Sequence, residues 1–223
     1  MRTLAVACLC SVALSGPRIG RPDHLRQGYG GPPKRSAKAE RPALQQRVFD
    51  VRLDTTKGPI VIEVHREWAP HGADRFYELV TSGYYDDNRF FRVVAGRWAQ
   101  FGINGDPKVA SGWRTRTIPD DVRKQSNVRG MVAFAFAVPN GRTTQIYIAL
   151  TDLSSPQDEQ GFVPIGRVVE GMNVADALNA EYGEAAGGGI RAGTQQKLFD
   201  EGNAYLDREF PRLDRIIRAL GVR

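Results

Sequence analysis

From Val48 the chain breaks into short runs in which side-chain character alternates every second residue, and this period of two constrains the fold more than any other feature. Phe49, Val51 and Leu53 alternate with Val48, Asp50, Arg52 and Asp54. Lys57-Gly58-Pro59 supplies a turn and Ile60 to Val64 a returning strand, so the segment predicts a hairpin. A strand with this alternation buries one face and offers the other to solvent or to a ligand.

Two later runs carry the chemistry. Asn88 to Gly102 reads Asn-Arg-Phe-Phe-Arg-Val-Val-Ala-Gly-Arg-Trp-Ala-Gln-Phe-Gly, two short strands meeting at Ala95-Gly96. Arg92 and Gln100 stand in them where periodicity predicts a buried or half-buried side chain. A lone arginine so placed usually lays its methylenes on the sheet and keeps its head in water. Arg129 to Ile148, a strand, a Pro-Asn-Gly loop and a second strand, favours another reading. Val132, Phe134 and Phe136 there alternate with Ala133, Ala135 and Ala137, so one face is bulky and the other nearly bare. A bare face leaves room for a ligand, and Arg92 and Gln100 would present hydrogen-bonding groups to it.

Around these runs Pro70 suits the first turn of a helix, with Ala73, Phe76, Leu79 and Val80 as its apolar stripe and Ser82-Gly83 as its end. Asn104-Gly105-Asp106-Pro107 opens a long loop through Trp113 to Asn127. Gly161 to Val169 predicts a strand, and Asn173 a helix cap before a stripe of Val174, Ala177 and Leu178. Gly183 to Gly193 lacks a preceding strand and a Gly-x-Gly-x-x-Gly match, which predicts a flexible loop rather than a phosphate cradle. Leu213, Ile216, Ile217 and Leu220 have the spacing of a terminal amphipathic helix.

Charge excludes one class of partner. The net charge is +6, but Gly16 to Arg47 holds eight Lys or Arg against Asp23 and Glu40, while Val48 onward holds 22 basic and 23 acidic residues. The basicity belongs to a Gly- and Pro-rich linker over 16–47 with too little apolar surface to order itself. Arg129-Gly130-Met131-Val132-Ala133-Phe134 resembles an RNA-binding strand, but Met131 and Ala133 stand where base-stacking aromatics belong, so no nucleic-acid partner is expected. His65 and His71 have no ligand set around them, so no metal is expected. No Gly-x-Ser-x-Gly elbow argues for a hydrolase. Met1 to Ser15, with Arg2, an apolar run from Leu4 to Leu14 and Ala13-Leu14-Ser15, has the layout of a secretory signal and is too short for a stable membrane span. Export to the periplasm or medium is the expectation, with a cytoplasmic protein the alternative if the start is mis-assigned. Both cysteines, Cys8 and Cys10, fall within that segment, so the mature chain is expected to have no disulfide.

In order along the chain, Phe-Phe-Arg-Val-Val-x-Gly-x-x-x-Gln-x-Gly, Arg-Gly-x-Val-x-Phe-Ala-x-Ala-x-Pro-Asn and Thr-Thr-Gln-Ile-Tyr-Ile resemble the cyclophilin family of peptidyl-prolyl cis-trans isomerases over about Val48 to Asn179. Gln-Phe-Gly-Ile-x-Gly-Asp-Pro and Asp-Asp-x-x-Lys-Gln-Ser-Asn-x-Arg-Gly look like a bacterial branch of it. The resemblance implies a mainly β isomerase domain over 48–182. Its fold would be a closed eight-stranded antiparallel barrel with two capping helices and a peptide groove on the outer wall. A Gly-rich loop and a C-terminal helix would follow over 183–223. It also implies a monomer with no cofactor whose partners are proline-containing polypeptides. Arg92 matches the family's catalytic arginine; Gln100, Ala135 and Gln145 match groove positions, and Phe136 joins them. Tyr147 stands where a phenylalanine usually floors the proline pocket. Arg97 and Trp98 replace the usual Phe-Met, Phe162 stands where animal members have a histidine, and the usual Trp-Leu or Phe-Leu near Pro156-Gln157 is absent. The groove is therefore expected to be remodelled. The chain is either an isomerase that assists folding of secreted proteins or a catalytically weak peptide-binding chaperone or scaffold on the same fold.

Overall fold

The computed structural model describes residues 46–188 and 195–222. The signal and nearly all of the linker expected from the sequence lie outside the described residues, as does 189–194 of the Gly-rich stretch. Eight strands run β1 Val48–Thr55, β2 Gly58–His65, β3 Arg92–Val94, β4 Trp98–Phe101, β5 Met131–Phe134, β6 Ile146–Ala149, β7 Pro164–Glu170 and β8 Ile216–Val222. Five helices interleave with them: α1 Pro70–Thr81, α2 Pro107–Trp113, α3 Ser154–Glu159, α4 Met172–Asp176 and α5 Gln196–Glu209.

All strand pairs are antiparallel, in the order β3-β4-β6-β5-β7-β2-β1-β8. The period of two in β1 appears directly as burial, with Phe49, Val51, Leu53 and Thr55 inside. Phe49, Val51 and Leu53 meet Ile60, Ile62 and Val64 of β2, Val132 and Phe134 of β5, and Ile146 and Ile148 of β6 in one apolar core. Helix α1 follows its sequence pattern closely: Pro70 opens it, Ala73, Phe76, Leu79 and Val80 are buried, and Ser82 and the left-handed Gly83 end it.

Four expectations are corrected. The sheet is a curled half-barrel, not a closed barrel. Among the described residues β3 and β8 form no ladder, and the seam carries the single bridge Arg89↔Arg215, with Phe90 N–H donating to Asp214 O (2.9 Å) and Ile216 N–H to Asn88 O (2.8 Å). A three-residue β3 is too short to complete the circle. The 213–220 stripe is not helical: Ile216 and Ala219 are buried and Ile217 exposed in β8, which pairs with β1. The open edge of β1 supplies backbone partners that outweigh a helical spacing only four apolar residues long. The 104–127 loop contains α2, capped by the Asp106 carboxylate, which accepts from Lys108 N–H. Finally, α4 is capped by Gly171 in the left-handed region, Asn173 lies inside the helix, and the buried positions are Ala175 and Leu178 while Ala177 is exposed.

Helix α5 builds a second, smaller core. Leu198, Phe199 and Leu206 pack with Phe91, Ile103, Ala110 and Ala186. Gly202 breaks the helix at φ 57°, ψ −138°, a conformation open essentially to glycine alone. The break lets Asn203 N–H reach Gly105 O at 3.0 Å. Arg89, 5% exposed, pairs with Asp207 at 2.8 Å and fastens the same helix to the strand region.

Candidate active site

Hairpin β3–β4 turns over Ala95-Gly96-Arg97, with Gly96 at φ 67°, and its register sets Arg92 opposite Gln100. The ladders then carry the row onward: Gln100 pairs with Tyr147, and Tyr147 with Ala133. Residues directly opposite one another across a sheet share a face. Arg92, Gln100, Tyr147 and Ala133 thus form one transverse row, while their chain neighbours Val93, Ala99, Phe101, Ile146, Ile148, Val132 and Phe134 enter the main core. The row lies on the opposite, outer face.

Polar and apolar halves meet along that row. Arg92 Nη1 donates to Gln100 Oε1 (3.0 Å) and Nη2 to Glu184 Oε1 (2.7 Å). Gln100 Nε2 donates to Gln145 Oε1 (2.8 Å), and Gln145 Nε2 to Gln195 Oε1 (2.9 Å). Both Arg92 and the exposed Arg97 place their guanidiniums over the Trp98 ring, 4.8 and 4.7 Å from its centroid, a favourable cation–π geometry. On the other side Ala133, Tyr147, Ala149 and Leu153 form an apolar cluster with Trp98 and Phe162 packed against it. The bare face foreseen at Ala133 is therefore lined by large rings. Phe162 meets Tyr147 edge-on (5.5 Å) and Phe136 at a tilt (4.7 Å), and the Arg142 guanidinium lies 4.0 Å from the Phe136 centroid. Ala135 contributes its backbone, its N–H donating to Gln145 O at 2.9 Å.

Tyr147 keeps its hydroxyl satisfied inside this cluster by donating to Asn127 Oδ1 at 2.6 Å. Burial above all, together with the nearby Asp158 charge and against the opposing influence of Arg142, pushes its phenol well above the ordinary range, so it is a neutral donor. Asn127 is fully buried and gives its Nδ2 hydrogens to Asp158 Oδ1 (2.6 Å) and Phe162 O (3.0 Å). It ties the two rings of the pocket floor together.

The site residues expected from the sequence are thus brought together, Arg92, Gln100, Gln145, Trp98 and Arg97 at one end and Phe136, Tyr147 and Phe162 at the other, with the Ala135 backbone joined to Gln145. Three neighbours were not foreseen: Asn127, Glu184 and Gln195. Asn127 had a signal, since it sits in the quoted Lys-Gln-Ser-Asn-x-Arg-Gly segment. Glu184 and Gln195 flank a glycine-rich stretch that offers no local pattern. Among the described residues no group of His, Cys, Asp and Glu could hold a metal ion, and no helix is long and apolar enough to cross a membrane.

A sequence model of the family described as cyclophilin type peptidyl-prolyl cis-trans isomerase/CLD matches residues 48–195. The chain belongs to the cyclophilin-type peptidyl-prolyl isomerases. This cyclophilin is 33% identical over 136 residues to "Peptidyl-prolyl cis-trans isomerase-like 1" of Rhizopus delemar, covering 58% of this chain and 79% of that one. It is 28% identical over 146 residues to "Peptidyl-prolyl cis-trans isomerase A" of Dickeya dadantii, covering 61% and 74%. In fold it is similar to a cyclophilin-type isomerase from Cryptosporidium parvum, with TM-score 0.56 and 17% identity over 79% of this chain and 98% of that one. The activity of this cyclophilin is peptidyl-prolyl cis-trans isomerisation.

Proposed function

We propose that this cyclophilin rotates X-Pro bonds of polypeptide clients bound along the outer row, with Arg92 donating a hydrogen bond to the prolyl nitrogen as the amide twists. The observation that carries the reading is the register placing Arg92, Gln100 and Tyr147 side by side, so that a charged donor adjoins an apolar floor. The chemistry asks for little else. Amide resonance sets a barrier of about 18–20 kcal/mol, and an unaided X-Pro bond takes tens to hundreds of seconds to turn over. In the twisted state the nitrogen regains its lone pair and accepts a hydrogen bond, which the planar amide nitrogen does not. A permanently charged guanidinium suits that acceptor.

Magnitudes decide how much Arg92 can do alone. Shortening ~100 s to ~10 ms requires four decades, about 5–6 kcal/mol of preferential transition-state stabilisation. One charge-assisted hydrogen bond gives ~1.5–3 kcal/mol net. The remainder falls to the grip on the ring and on the residue before it, through Tyr147, Phe162, Phe136 and Trp98, with Gln100 and Gln145 receiving the peptide backbone. Arg97 makes this groove more cationic than the Phe-Met arrangement that it and Trp98 replace.

The sequence supports three finer assignments: a bacterial-branch cyclophilin, acting as a monomer, and exported under the direction of residues 1–15. The decisive experiment compares cis-to-trans rates of an Ala-Pro peptide with wild type and with Arg92→Ala of verified fold. A fall of about 10- to 150-fold in R92A is expected from the loss of one charge-assisted hydrogen bond. Equal rates would remove Arg92 from the mechanism, and no acceleration by either protein would leave a peptide-binding module.

A further inference from the structure

Arg92 is held from a part of the chain far outside the strands. After α4 the residues Tyr182 to Gly188 run back over β3. Ala186, 1% exposed, is buried with Phe91, Ile103 and Leu198 in the second core, and Tyr182 packs edge-on against Phe210 at 5.2 Å. Gly187 presses so closely that a Cβ there would lie 2.9 Å from Arg92 Cβ and 3.2 Å from Phe91 Cδ2. The aliphatic stem of Arg92 is thus covered by backbone. From the same segment the Glu184 carboxylate takes the Nη2 hydrogen bond at 2.7 Å.

The far end of the stretch acts on the other partner of Arg92. Gln195, 6% exposed, exchanges amide hydrogen bonds with Gln145 (2.9 and 3.2 Å), whose Oε1 also accepts from Gln100 Nε2. With its NH2 committed there, Gln100 presents its carbonyl oxygen to Arg92 Nη1. The guanidinium is fixed at two corners, by Gln100 on one nitrogen and Glu184 on the other. A planar fork held at both Nη atoms has its terminal torsions set before any substrate arrives, which is the form of preorganisation that lowers a barrier.

Resting on the role proposed for Arg92, we infer that Glu184 is a positioning residue of the isomerase, fixing the guanidinium in the orientation that meets the prolyl nitrogen. A carboxylate on a catalytic cation could instead act as a brake that substrate must displace. The burial of Ala186 and the close seat of Gly187 argue against that, because they make the segment a built wall of the site rather than a loop free to leave.

The test measures kcat and KM separately on the Ala-Pro peptide for wild type, E184A, E184Q, R92A and the double variant E184A/R92A, with folding checked by circular dichroism. E184A is expected to lower kcat about tenfold and leave KM within about twofold, the effect of one partly screened charge-assisted contact. E184Q keeps an acceptor without the charge and is expected to lose about threefold. In the R92A background, E184A is expected to cost nothing further, since the two residues act as one unit. A kcat that is unchanged or raised in E184A or E184Q overturns the inference, the rise signifying a brake; an added loss on top of R92A would assign Glu184 to the fold. If E184A fails to fold, E184Q decides alone: a wild-type kcat sinks the idea. Failure of the Arg92 reading looks different, because there R92A itself retains full rate.

Discussion

Asn127 holds two rings of the groove floor through Tyr147 and Phe162, and it depends on a carboxylate to do so. Its backbone N–H and side-chain Nδ2 both donate to Asp158 Oδ1 at 2.9 and 2.6 Å, and Arg123 lies 3.3 Å from the other oxygen. Burial alone would favour the protonated acid, but the hydrogen bonds from Asn127 and Ser126 and the Arg123 charge outweigh it and hold the Asp158 carboxyl below its usual value. The folded-state pKa is depressed, so the stabilisation is complete above the unfolded pKa of about 3.9 and disappears as pH falls through the folded value. Urea denaturation of wild type and Asp158→Asn should show a constant gap in favour of wild type above about pH 5, closing below about pH 4. A gap that persists at pH 2 would mean that the carboxylate charge is irrelevant to the floor.

Among elements, α5 is the most dependent on one position. Gly202 turns the helix back toward Gly105, and a Cβ at that position would meet Gly105 O at 2.0 Å and Pro107 Cδ at 3.1 Å. Gly202→Ala therefore combines a forbidden backbone conformation with a backbone clash. It should cost about 3 kcal/mol or more, read as a lowered urea midpoint at unchanged slope. A midpoint equal to wild type would show that the helix straightens without penalty.

The same elements show what the sequence discloses and what it hides. Arg92 and Gln100 were legible because a polar side chain at a buried phase of a period-two pattern is an anomaly visible locally. Helix α1 was legible because Ala73, Phe76, Leu79 and Val80 make one stripe over about two turns. The short α2 and α3 were missed, and α5 has its stripe of Leu198, Phe199 and Leu206 interrupted at Gly202. Leu213 to Leu220 fitted a helix by spacing, yet a strand edge elsewhere settled its conformation, as tertiary context commonly does for short apolar runs. Glu184 meets Arg92 across 92 positions, and no local period records such a contact.

At the scale of the molecule, β8 is the strand that covers the edge of β1 from Asp50 to Thr55. Below it Thr56 Oγ1 donates to Asp214 Oδ1 at 2.6 Å, and Asp86 accepts from Ala219 N–H at 2.9 Å. Removing residues 216–223 would uncover a β edge and open the core where Ile216 sits, fully buried. Such a chain should be largely aggregated by light scattering, for an unprotected edge is a template for pairing between molecules. A monodisperse truncated protein with a wild-type melting temperature would show β8 to be an ornament.

That pairing also imposes an order of events on synthesis. Thr56 and Asp214, neighbours in space, are 158 residues apart in the chain, and at ~5–20 residues per second a ribosome needs on the order of ten seconds to make the intervening stretch. Once the first hairpin has left the tunnel, it waits for the remainder of that interval with one side unclaimed. This isomerase therefore closes its own sheet late, and a nascent-chain chaperone covering the β1 edge would be protective until the last strand arrives.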